Sequence, residues 1–311
     1  KIIILVNRRG YTPFVLCASC GYMYRCPKCS AGLVSHENDA SRAKRLICHH
    51  CRYVEKNPQD ICPECHGFLT GFSGVGTEKV AEAFKQILPS HAFFSFDSDT
   101  VRTPKKEEET LKQFVGSSQG VLVATELIFK HPLPQLDASL MMDADRMLNI
   151  PDFGSEERVF RMIRMLGVSS KHVYICTRDS TRPIFGYINT PEKFSERDNG
   201  ARERYGYPPF VELTKITYAH SSKESIETTM TTLVNRMREF VTNNHLGALF
   251  EISDPSPAFI SKINRRFYYH ILLRLKKSSA EITDDDLRAR NRLLSLVPRG
   301  FTINIGTSSI L

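Results

Sequence analysis

Hydrophobic runs and periods divide the first 177 positions into alternating strands and helices. Residues 2–6 form the uninterrupted apolar run Ile-Ile-Ile-Leu-Val, which is typical of a buried parallel strand. From Val80 to Leu88 the apolar residues recur at helical spacing, and Thr77 is the predicted N-cap of that helix. Because such alternation builds a mostly parallel sheet flanked by helices, the pattern predicts an α/β fold. The predicted strands are 1–6, 68–72, 92–96, 120–125, 138–142 and 172–177, and the predicted helices are 80–88, 104–115 and 158–166.

Polar residues follow several of these strands directly. In a parallel sheet, functional residues gather at the carboxyl ends of the strands. The pattern therefore predicts an active rim, and loop residues or helix caps explain the same positions equally well. The residues concerned are Asp97, Asp99, Thr125, Asp143 and Asp145.

The alternation breaks over residues 178–208, where arginine, proline, serine and asparagine cluster, and we predict a domain boundary near 195–200. Beyond it the pattern returns and predicts a small α+β domain at 196–311. Its predicted strands are 211–218, 267–275 and 301–305, and its predicted helices are 222–243 and 284–294.

Basic and aromatic residues are mixed in this last domain. Arg265 and Arg266 are followed closely by Tyr268 and Tyr269. Arginines mixed with aromatic rings suit single-stranded or forked nucleic acid. An amphipathic surface strand explains the same residues equally well.

Eight of the nine cysteines form four Cys-x-x-Cys pairs, which is the spacing of tetrahedral zinc ligands. Disulfide frameworks suit small secreted chains, whereas this chain is longer and leaves Cys176 over. A thioredoxin-like redox pair and an iron–sulfur site fit four close, symmetrical pairs less well. We therefore predict two structural zinc ions in a module at 17–66. The pairs are Cys17/Cys20, Cys26/Cys29, Cys48/Cys51 and Cys62/Cys65.

The four pairs can combine into two sites in three ways. Five residues separate the first two pairs, which leaves little chain to fold both round one metal, whereas the gap from Cys29 to Cys48 closes easily. This favours a nested arrangement. The inner site takes Cys26, Cys29, Cys48 and Cys51, and the outer site takes Cys17, Cys20, Cys62 and Cys65. His36, His49, His50 and His66 are nearby substitutes, each more simply an exposed loop residue.

Charge and length set wider limits. The 311 residues carry a formal net charge of +8, which falls to about +4 when eight thiolates hold two Zn²⁺. This excess permits nucleic-acid binding without demanding it. No apolar run reaches transmembrane length, so no membrane partner is expected. The chain opens on Lys1 and a core strand, which suggests part of a larger protein.

Ordered motifs resemble the primosomal replication-restart helicases, the PriA family. They start at Leu5-Val6-Asn7-Arg8-Arg9-Gly10-Tyr11 before the first cysteine pair and continue through the four pairs, two of them Cys-Pro-x-Cys. The later motifs are Gly74-x-Gly76-Thr77-Glu78, Asp97-x-Asp99-Thr100, Asp143-Ala144-Asp145, Pro151-Asp152-Phe153 with Glu157-Arg158, and Gly206-Tyr207-Pro208-Pro209-Phe210.

The resemblance implies an architecture and an activity. Residues 1–16 and 67–195 resemble the second RecA-like helicase lobe, interrupted by the zinc insert, and 196–311 resemble the family's C-terminal DNA-binding domain. The family unwinds forked DNA 3′ to 5′ with ATP and Mg²⁺ and nucleates reloading of the replicative helicase. The implied partners are forked and single-stranded DNA, primosome proteins and single-stranded-DNA-binding proteins, in a cytoplasmic, nucleoid-associated setting. The nested zinc pairing is also the family's own. Candidate DNA contacts are Arg8, Arg9, Thr125, Lys130, Arg265 and Arg266.

Helicase elements are eroded in this sequence. No Gly-x-x-x-x-Gly-Lys-Ser/Thr loop occurs in these residues. The family's Gly-Thr-Gln-Met-Ile-x-Lys-Gly element corresponds to residues 124–131, which lack both glycines and carry Glu126 for the glutamine. The arginine-bearing Gln-Val-Ala-Gly-Arg-Ala-Gly-Arg element is deleted after the helix at 158–166, and the spacing of Arg161 and Arg164 does not replace it. We therefore predict inefficient ATP hydrolysis.

Three functions follow from these observations. The first is a PriA-like restart protein with helicase activity. The second is an ATPase-dead scaffold that binds fork DNA and partners through the zinc module and the basic C-terminal domain. The third is a zinc-ribbon protein of transcription or RNA metabolism, which the ordered motifs disfavour.

Overall fold

The computed structural model divides the chain into two compact units. The first comprises Lys1–Leu46, Glu55–Ile150 and Ser155–Phe194, and the second comprises Ile47–Val54, Pro151–Gly154 and Ser195–Leu311. The structure describes residues 1–6, 11–17, 20, 22, 24–28, 33–37, 44–48, 53–55, 61–67, 69–73, 77–276 and 282–311.

A parallel sheet forms the centre of the first unit, which confirms the predicted fold class. Its described strands follow the order β10-β9-β1-β8-β7, and each neighbouring pair is parallel. The central strand β1 is therefore the opening apolar run of the sequence. The bounds are β1 Ile2–Leu5, β7 Ala92–Phe96, β8 Gly120–Ala124, β9 Leu136–Met141 and β10 Ser170–Ile175.

Helices cover this sheet unequally on its two faces. On one face α1 packs on the central strands, burying Val80 and Ala81 against Ile4 and Val123. The opposite face buries a larger cluster, to which the other described helices of the unit contribute. Every residue of β8 is buried, as its unbroken apolar sequence requires. The helices are α1 Thr77–Ile87, α2 Pro104–Gly116, the 3₁₀ helix η1 Glu126–Lys130, α3 Ala144–Leu148, α4 Ser155–Ser169 and α5 Pro183–Gly186.

Short strands of the cysteine-rich segment form an antiparallel ladder. Strands β2 and β6 pair along most of their length, with Cys17 opposite Leu69, and Phe14 of β2 pairs with Val34 of β3. The described strand order is β5-β4-β3-β2-β6. The bounds are β2 Tyr11–Cys17, β3 Val34–Glu37, β4 Lys44–Ile47, β5 Val54–Glu55 and β6 Leu69–Ser73.

The second unit is an antiparallel sheet backed by two helices. Strand β14 pairs with β11, β12 and β13, and β15 pairs with the other side of β11. Helix α7 begins after the N-cap Ser222 and buries Met230 and Met237 on the sheet. The bounds are β11 Val211–His220, α7 Lys223–Asn243, β12 Phe250–Ile252, β13 Ser256–Ile263, β14 Arg266–Lys276, α8 Asp284–Leu294 and β15 Thr302–Ile305.

Several elements differ from the sequence-based expectation, among them the short strands β2–β5, η1 and α3. The break predicted at 178–208 contains α5 and a further helix, α6 Pro191–Tyr205. Helix α6 is polar all round and buries only Phe194, so it carries little apolar period. Strands β12 and β13 were not predicted either, because β12 is only three residues long and β13 contains Pro257.

Membrane-spanning character is not found in the helices. Among the residues that the structure describes, no helix is both long and apolar enough to cross a bilayer.

Candidate metal centre

Four cysteines from the two ends of the cysteine-rich segment meet in one cluster. Cys17 is the last residue of β2, and Cys62 and Cys65 belong to the turn that precedes β6. Their sulfurs and that of Cys20 all lie within 4.8 Å of one another. The Cys17 Sγ is 3.4 Å from the Cys65 Sγ, and the Cys20 Sγ is 3.6 Å from the Cys62 Sγ. The structure thus brings together the four residues predicted for the outer site.

Sulfur–sulfur distances distinguish a metal site from a pair of disulfides. A disulfide bond is about 2.05 Å long, and all four cysteines are free thiols. Four sulfurs at about 2.3 Å from a tetrahedral Zn²⁺ lie about 3.8 Å apart. The separations of 3.4 and 3.6 Å approach the tetrahedral value. The cluster therefore fits a tetrahedral metal ion and has the donor set of a structural site.

Similar backbone hydrogen bonds occur at the first cysteine of three pairs. The N–H of Cys17 donates to the Tyr22 carbonyl at 2.8 Å, and the N–H of Cys62 donates to the Gly67 carbonyl at 2.7 Å. The Cys48 N–H makes the same contact, to Tyr53 at 2.8 Å. Each bond joins a cysteine to the fifth residue after it and closes a tight loop. In the loop from Cys62 to Gly67, His66 adopts the left-handed conformation, with φ of 58°.

The pKa values of two of the clustered thiols, Cys20 and Cys65, are raised. Although a backbone hydrogen bond from Tyr22 favours the Cys20 thiolate, the Cys65 thiol and burial raise the pKa of Cys20 to about 12. The pKa of Cys65 is also raised, although its Gly67 backbone hydrogen bond acts in the opposite direction. A bound cation reverses this balance because it stabilises thiolates directly. Positive charge is therefore what would let these thiols become thiolates together.

The inner site is described only in part. Cys26 and Cys48 are both buried, and the Lys28 N–H points at the Cys26 Sγ at 3.4 Å. Cys29 and Cys51 lie outside the described residues, as do His49 and His50. Of the other suggested substitutes, His36 belongs to β3 and His66 is exposed. The pairing of the inner four cysteines stays a prediction.

Asp97, at the carboxyl end of β7, has a structural set of partners. It is buried and accepts hydrogen bonds from Thr77 Oγ1 at 2.8 Å, the Asp99 N–H at 2.8 Å and the Thr100 N–H at 3.0 Å. Burial opposes its ionisation, but the bonds from Thr77, Asp99 and Thr100 together lower its pKa. Thr77 is the first residue of α1 rather than its predicted N-cap, and its hydroxyl donates to Asp97. Asp97 thus acts as the acceptor that ties α1 to the end of β7.

Asp145, beyond β9, is held in the same way. Its carboxylate accepts from Thr177 Oγ1 at 2.9 Å and from the Arg178 N–H at 2.7 Å. The buried Arg182 donates to Asn149 and lies 4.0 Å from Asp145 and 3.8 Å from Asp179. Asp143 precedes α3 in the left-handed conformation, with φ of 51°. The carboxylates of Asp97 and Asp145 therefore have internal hydrogen-bonding roles.

Beyond β8, the rim carries one charged pair between two elements. Thr125 is buried, and its N–H donates to the Phe96 carbonyl at 3.0 Å. The next residue, Glu126, accepts from Arg158 Nε at 2.6 Å and also from its Nη2. Lys130, at the end of η1, is exposed. Glu126 therefore contacts an arginine of α4.

The candidate DNA contacts of the second unit lie at a β-hairpin. Strands β13 and β14 are joined through Asn264 and Arg265, both left-handed, with φ of 49° and 62°. Arg265 and Arg266 are exposed, and Arg266 Nη2 donates to the Ala219 carbonyl at 2.8 Å. The turn geometry therefore presents two adjacent guanidinium groups to solvent. The other predicted contacts, Arg8 and Arg9, lie outside the described residues.

Comparisons with known proteins give the family. A family model described as "Primosomal protein N C-terminal domain" matches residues 203–303. Curated proteins named replication restart protein PriA align over most of the chain. The Synechocystis sp. protein is 30% identical over 281 residues, covering 88% of this chain and 33% of that protein. The Bacillus subtilis protein is 29% identical (90% and 34%), and the Chlamydia muridarum protein is 30% identical (89% and 37%). The chain belongs to the PriA family.

This PriA-family chain spans about a third of the length of these three curated relatives. Two of its motifs that are distant in sequence meet in the second unit. Phe153 stacks on Tyr207 with ring centroids 4.6 Å apart, and Arg202 and Arg274 lie over these rings at 5.0 and 5.4 Å. The motif Pro151-Asp152-Phe153 is therefore a packing element, a role that the sequence did not reveal.

Proposed function

We propose that this PriA-family chain acts in DNA replication restart, as a platform that binds forked DNA and partner proteins. The observation that carries the proposal is the alignment of proteins named for replication restart with 88–90% of this chain. The exposed arginines of the hairpin provide positive charge for DNA, and the segment that carries the cysteine cluster is the proposed contact for partner proteins. Primosome and single-stranded-DNA-binding proteins are the partner classes that the family resemblance implies.

Zinc is the proposed ion of the outer cluster, and a second zinc occupies the inner set. Cys17, Cys20, Cys62 and Cys65 hold the first ion, and four thiolates leave no open position for catalysis. The bound ion supplies the positive charge that keeps the thiolates together. Because Cys17 ends β2 and Cys65 lies just before β6, the ion joins the two ends of the cysteine-rich segment. Its role is to fix the base of that segment.

ATP and Mg²⁺ do not fit the residues of this chain. The element that the family resemblance places at residues 124–131 lacks both of its glycines, and Glu126 stands where the family has glutamine. Helix α4 ends at Ser169 and β10 starts at Ser170, so the two adjoin with no intervening loop. Arg164, near that junction, donates to the Ile188 carbonyl at 3.1 Å. These observations favour the scaffold over the motor, and no catalytic step is assigned to this chain.

The DNA-binding role is tested by removing the hairpin arginines. We expect the double variant R265A/R266A to bind a forked oligonucleotide about tenfold more weakly at low salt. Each lost phosphate contact lowers the slope of log affinity against log salt by about 0.7 to 0.9, so the slope should fall by roughly 1.5. Fluorescence anisotropy over a salt series measures both quantities.

The matched control removes two exposed arginines elsewhere in the same unit, in the double variant R288A/R299A. It changes the net charge equally and should leave the slope close to that of the unaltered chain. Equal losses in both double variants would contradict a specific hairpin site. An affinity for forked DNA that does not change with salt would contradict the platform itself.

A further inference from the structure

The pair between Glu126 and Arg158 lies at a position where a sheet of this kind usually binds ligands. Glu126 follows Thr125 at the carboxyl end of β8, next to the central strand β1. The strand order reverses at β1, because the chain passes from β1 to the far edge strand β7 and then returns through β8 to β9. Ligands of open α/β sheets bind outside the carboxyl ends of strands at such a reversal. The pair thus borders the crevice.

The geometry of the pair concentrates two donors on one acceptor. Arg158 Nε donates to Glu126 Oε2 at 2.6 Å, and the Nη2 of the same guanidinium donates to the same oxygen. Arg158 belongs to the first turn of α4, where Glu156 and Glu157 precede it. A guanidinium presents this fork of donors to phosphate oxygens as readily as to a carboxylate. Glu126 therefore fills a position that a phosphate oxygen can take.

Exposure decides whether such an exchange is feasible. The Arg158 side chain is 53% exposed and that of Glu126 is 32% exposed, so solvent reaches both groups. Exposed ion pairs are weak, because water and salt screen them and because fixing two long side chains costs entropy. An anion of higher charge can then compete for the arginine. A buried pair, in contrast, would resist opening.

We infer that Glu126 is an internal counter-ion that blocks an oxyanion site formed by Arg158 at the rim of the parallel sheet. The ligand class is a phosphate oxyanion, from a nucleotide or from the DNA backbone. Glu126 weakens phosphate binding in two ways, since it occupies the arginine and repels the incoming anion. This inference extends the proposed platform function, because it describes a lobe that holds its own anion site closed.

Neutralising Glu126 tests the inference. We expect E126Q to bind tripolyphosphate about tenfold more tightly than the unaltered chain at low ionic strength, and the gain should shrink as salt rises. The double variant E126Q/R158Q should lose this gain, because the arginine is the proposed ligand. Isothermal titration of the full chain measures the affinities. The metal content, measured before and after titration, shows that polyphosphate has not removed the structural ion.

A matched control separates the site from general charge effects. Glu108 pairs with Lys112 at 2.8 Å on α2 of the same unit, so E108Q removes the same charge from another exposed pair. Its affinity for tripolyphosphate should match that of the unaltered chain. If E126Q unfolds at a lower temperature than the unaltered chain, E126A replaces it, and the same gain in tripolyphosphate affinity is expected. An equal gain in E108Q, or a gain that persists in E126Q/R158Q, overturns the inference.

Two further ligands identify the source of the phosphate. A gain with ADP and tripolyphosphate assigns the site to nucleotide phosphates, and a gain with oligo(dT) alone assigns it to the DNA backbone. No gain with any of the three overturns the inference. The result is independent of the hairpin, because Arg265 and Arg266 are unchanged in these variants. Failure of the oxyanion site can therefore be distinguished from failure of the fork-binding platform.

Discussion

The polar side chains of the cysteine cluster and those at the rim of the parallel sheet have opposite kinds of neighbours. In the cluster, four thiols lie within 4.8 Å of one another, and the pKa values of Cys20 and Cys65 are raised. At the rim, Asp97 and Asp145 accept hydrogen bonds from neighbouring hydroxyl and N–H groups, and Glu126 accepts from Arg158. The first arrangement needs an added cation. In the second, these three carboxylates already have hydrogen-bond donors within the chain.

Removing one cysteine thiol should have the largest effect, because it takes a ligand away from the proposed metal site. We expect C62S to lose one metal ion per chain and to open the pairing of β2 with β6. Structural zinc contributes on the order of 10 kcal/mol to the folding of small zinc modules, so loss of one ligand weakens the segment severely. Metal analysis and hydrogen exchange of the β2 and β6 amides measure the two effects.

Cys176 supplies the control for this experiment. It is exposed and belongs to neither predicted zinc site, and its Sγ lies 4.0 Å from the Met142 sulfur. C176S should keep the full metal content and the same amide protection as the unaltered chain. Unchanged metal content in C62S would refute a four-cysteine outer site. A similar loss in both variants would indicate general thiol damage.

Asp97 gives an intermediate effect, which tests whether the rim is complete without a ligand. D97N weakens the acceptor for Thr77 and two N–H groups, so we expect a loss of about 1–3 kcal/mol in unfolding free energy at neutral pH. The folded pKa of Asp97 lies below its usual value of 3.8. Its contribution is therefore fully present above that value and disappears as pH falls through the folded pKa.

Denaturant unfolding over a pH series measures this difference. The stability of the unaltered chain and of D97N should converge below about pH 4. D99N is the control, because Asp99 neighbours Asp97 and contributes its N–H to that bond rather than the acceptor. A constant difference at all pH values would contradict the ionised role of Asp97. A stabilised D97N would indicate a rim that is strained for binding a ligand.

Local patterns predicted much of this molecule correctly. The apolar run at 2–6 became the central strand β1, and the alternation that follows it produced the parallel sheet. The spacing of Cys17, Cys20, Cys62 and Cys65, with the short link between the first two pairs, selected the set that the structure gathers. In each case the information is local or rests on loop length, which a single sequence contains.

Long-range partners were not predictable in the same way. Nothing in the spacing of residues 153 and 207 indicates that Phe153 stacks on Tyr207, since the contact depends on the packed second unit. The pairing of Glu126 with Arg158 was not predicted for the same reason, because the two residues are 32 positions apart in the sequence. Helix α6 was not predicted because its apolar residues do not recur at helical spacing. The missing information is tertiary in each case.

Arg25 gives the smallest expected effect and tests whether the two regions are linked. It lies between Cys20 and Cys26 in sequence, and its guanidinium is 3.5 Å from Asp179, which in turn neighbours Arg182 at the rim. Both side chains are over one third exposed, so the pair should contribute at most about 0.5 kcal/mol. A double-mutant cycle of R25A and D179N, read by denaturant unfolding and metal content, measures the coupling. R25K keeps the charge and serves as control.

Coupling near zero means that the cluster and the rim are energetically independent, as their opposite chemistry suggests. Coupling above about 1 kcal/mol, with metal lost from R25A, would mean that the rim's network of charges extends into the cysteine-rich segment and that metal binding and rim structure depend on each other.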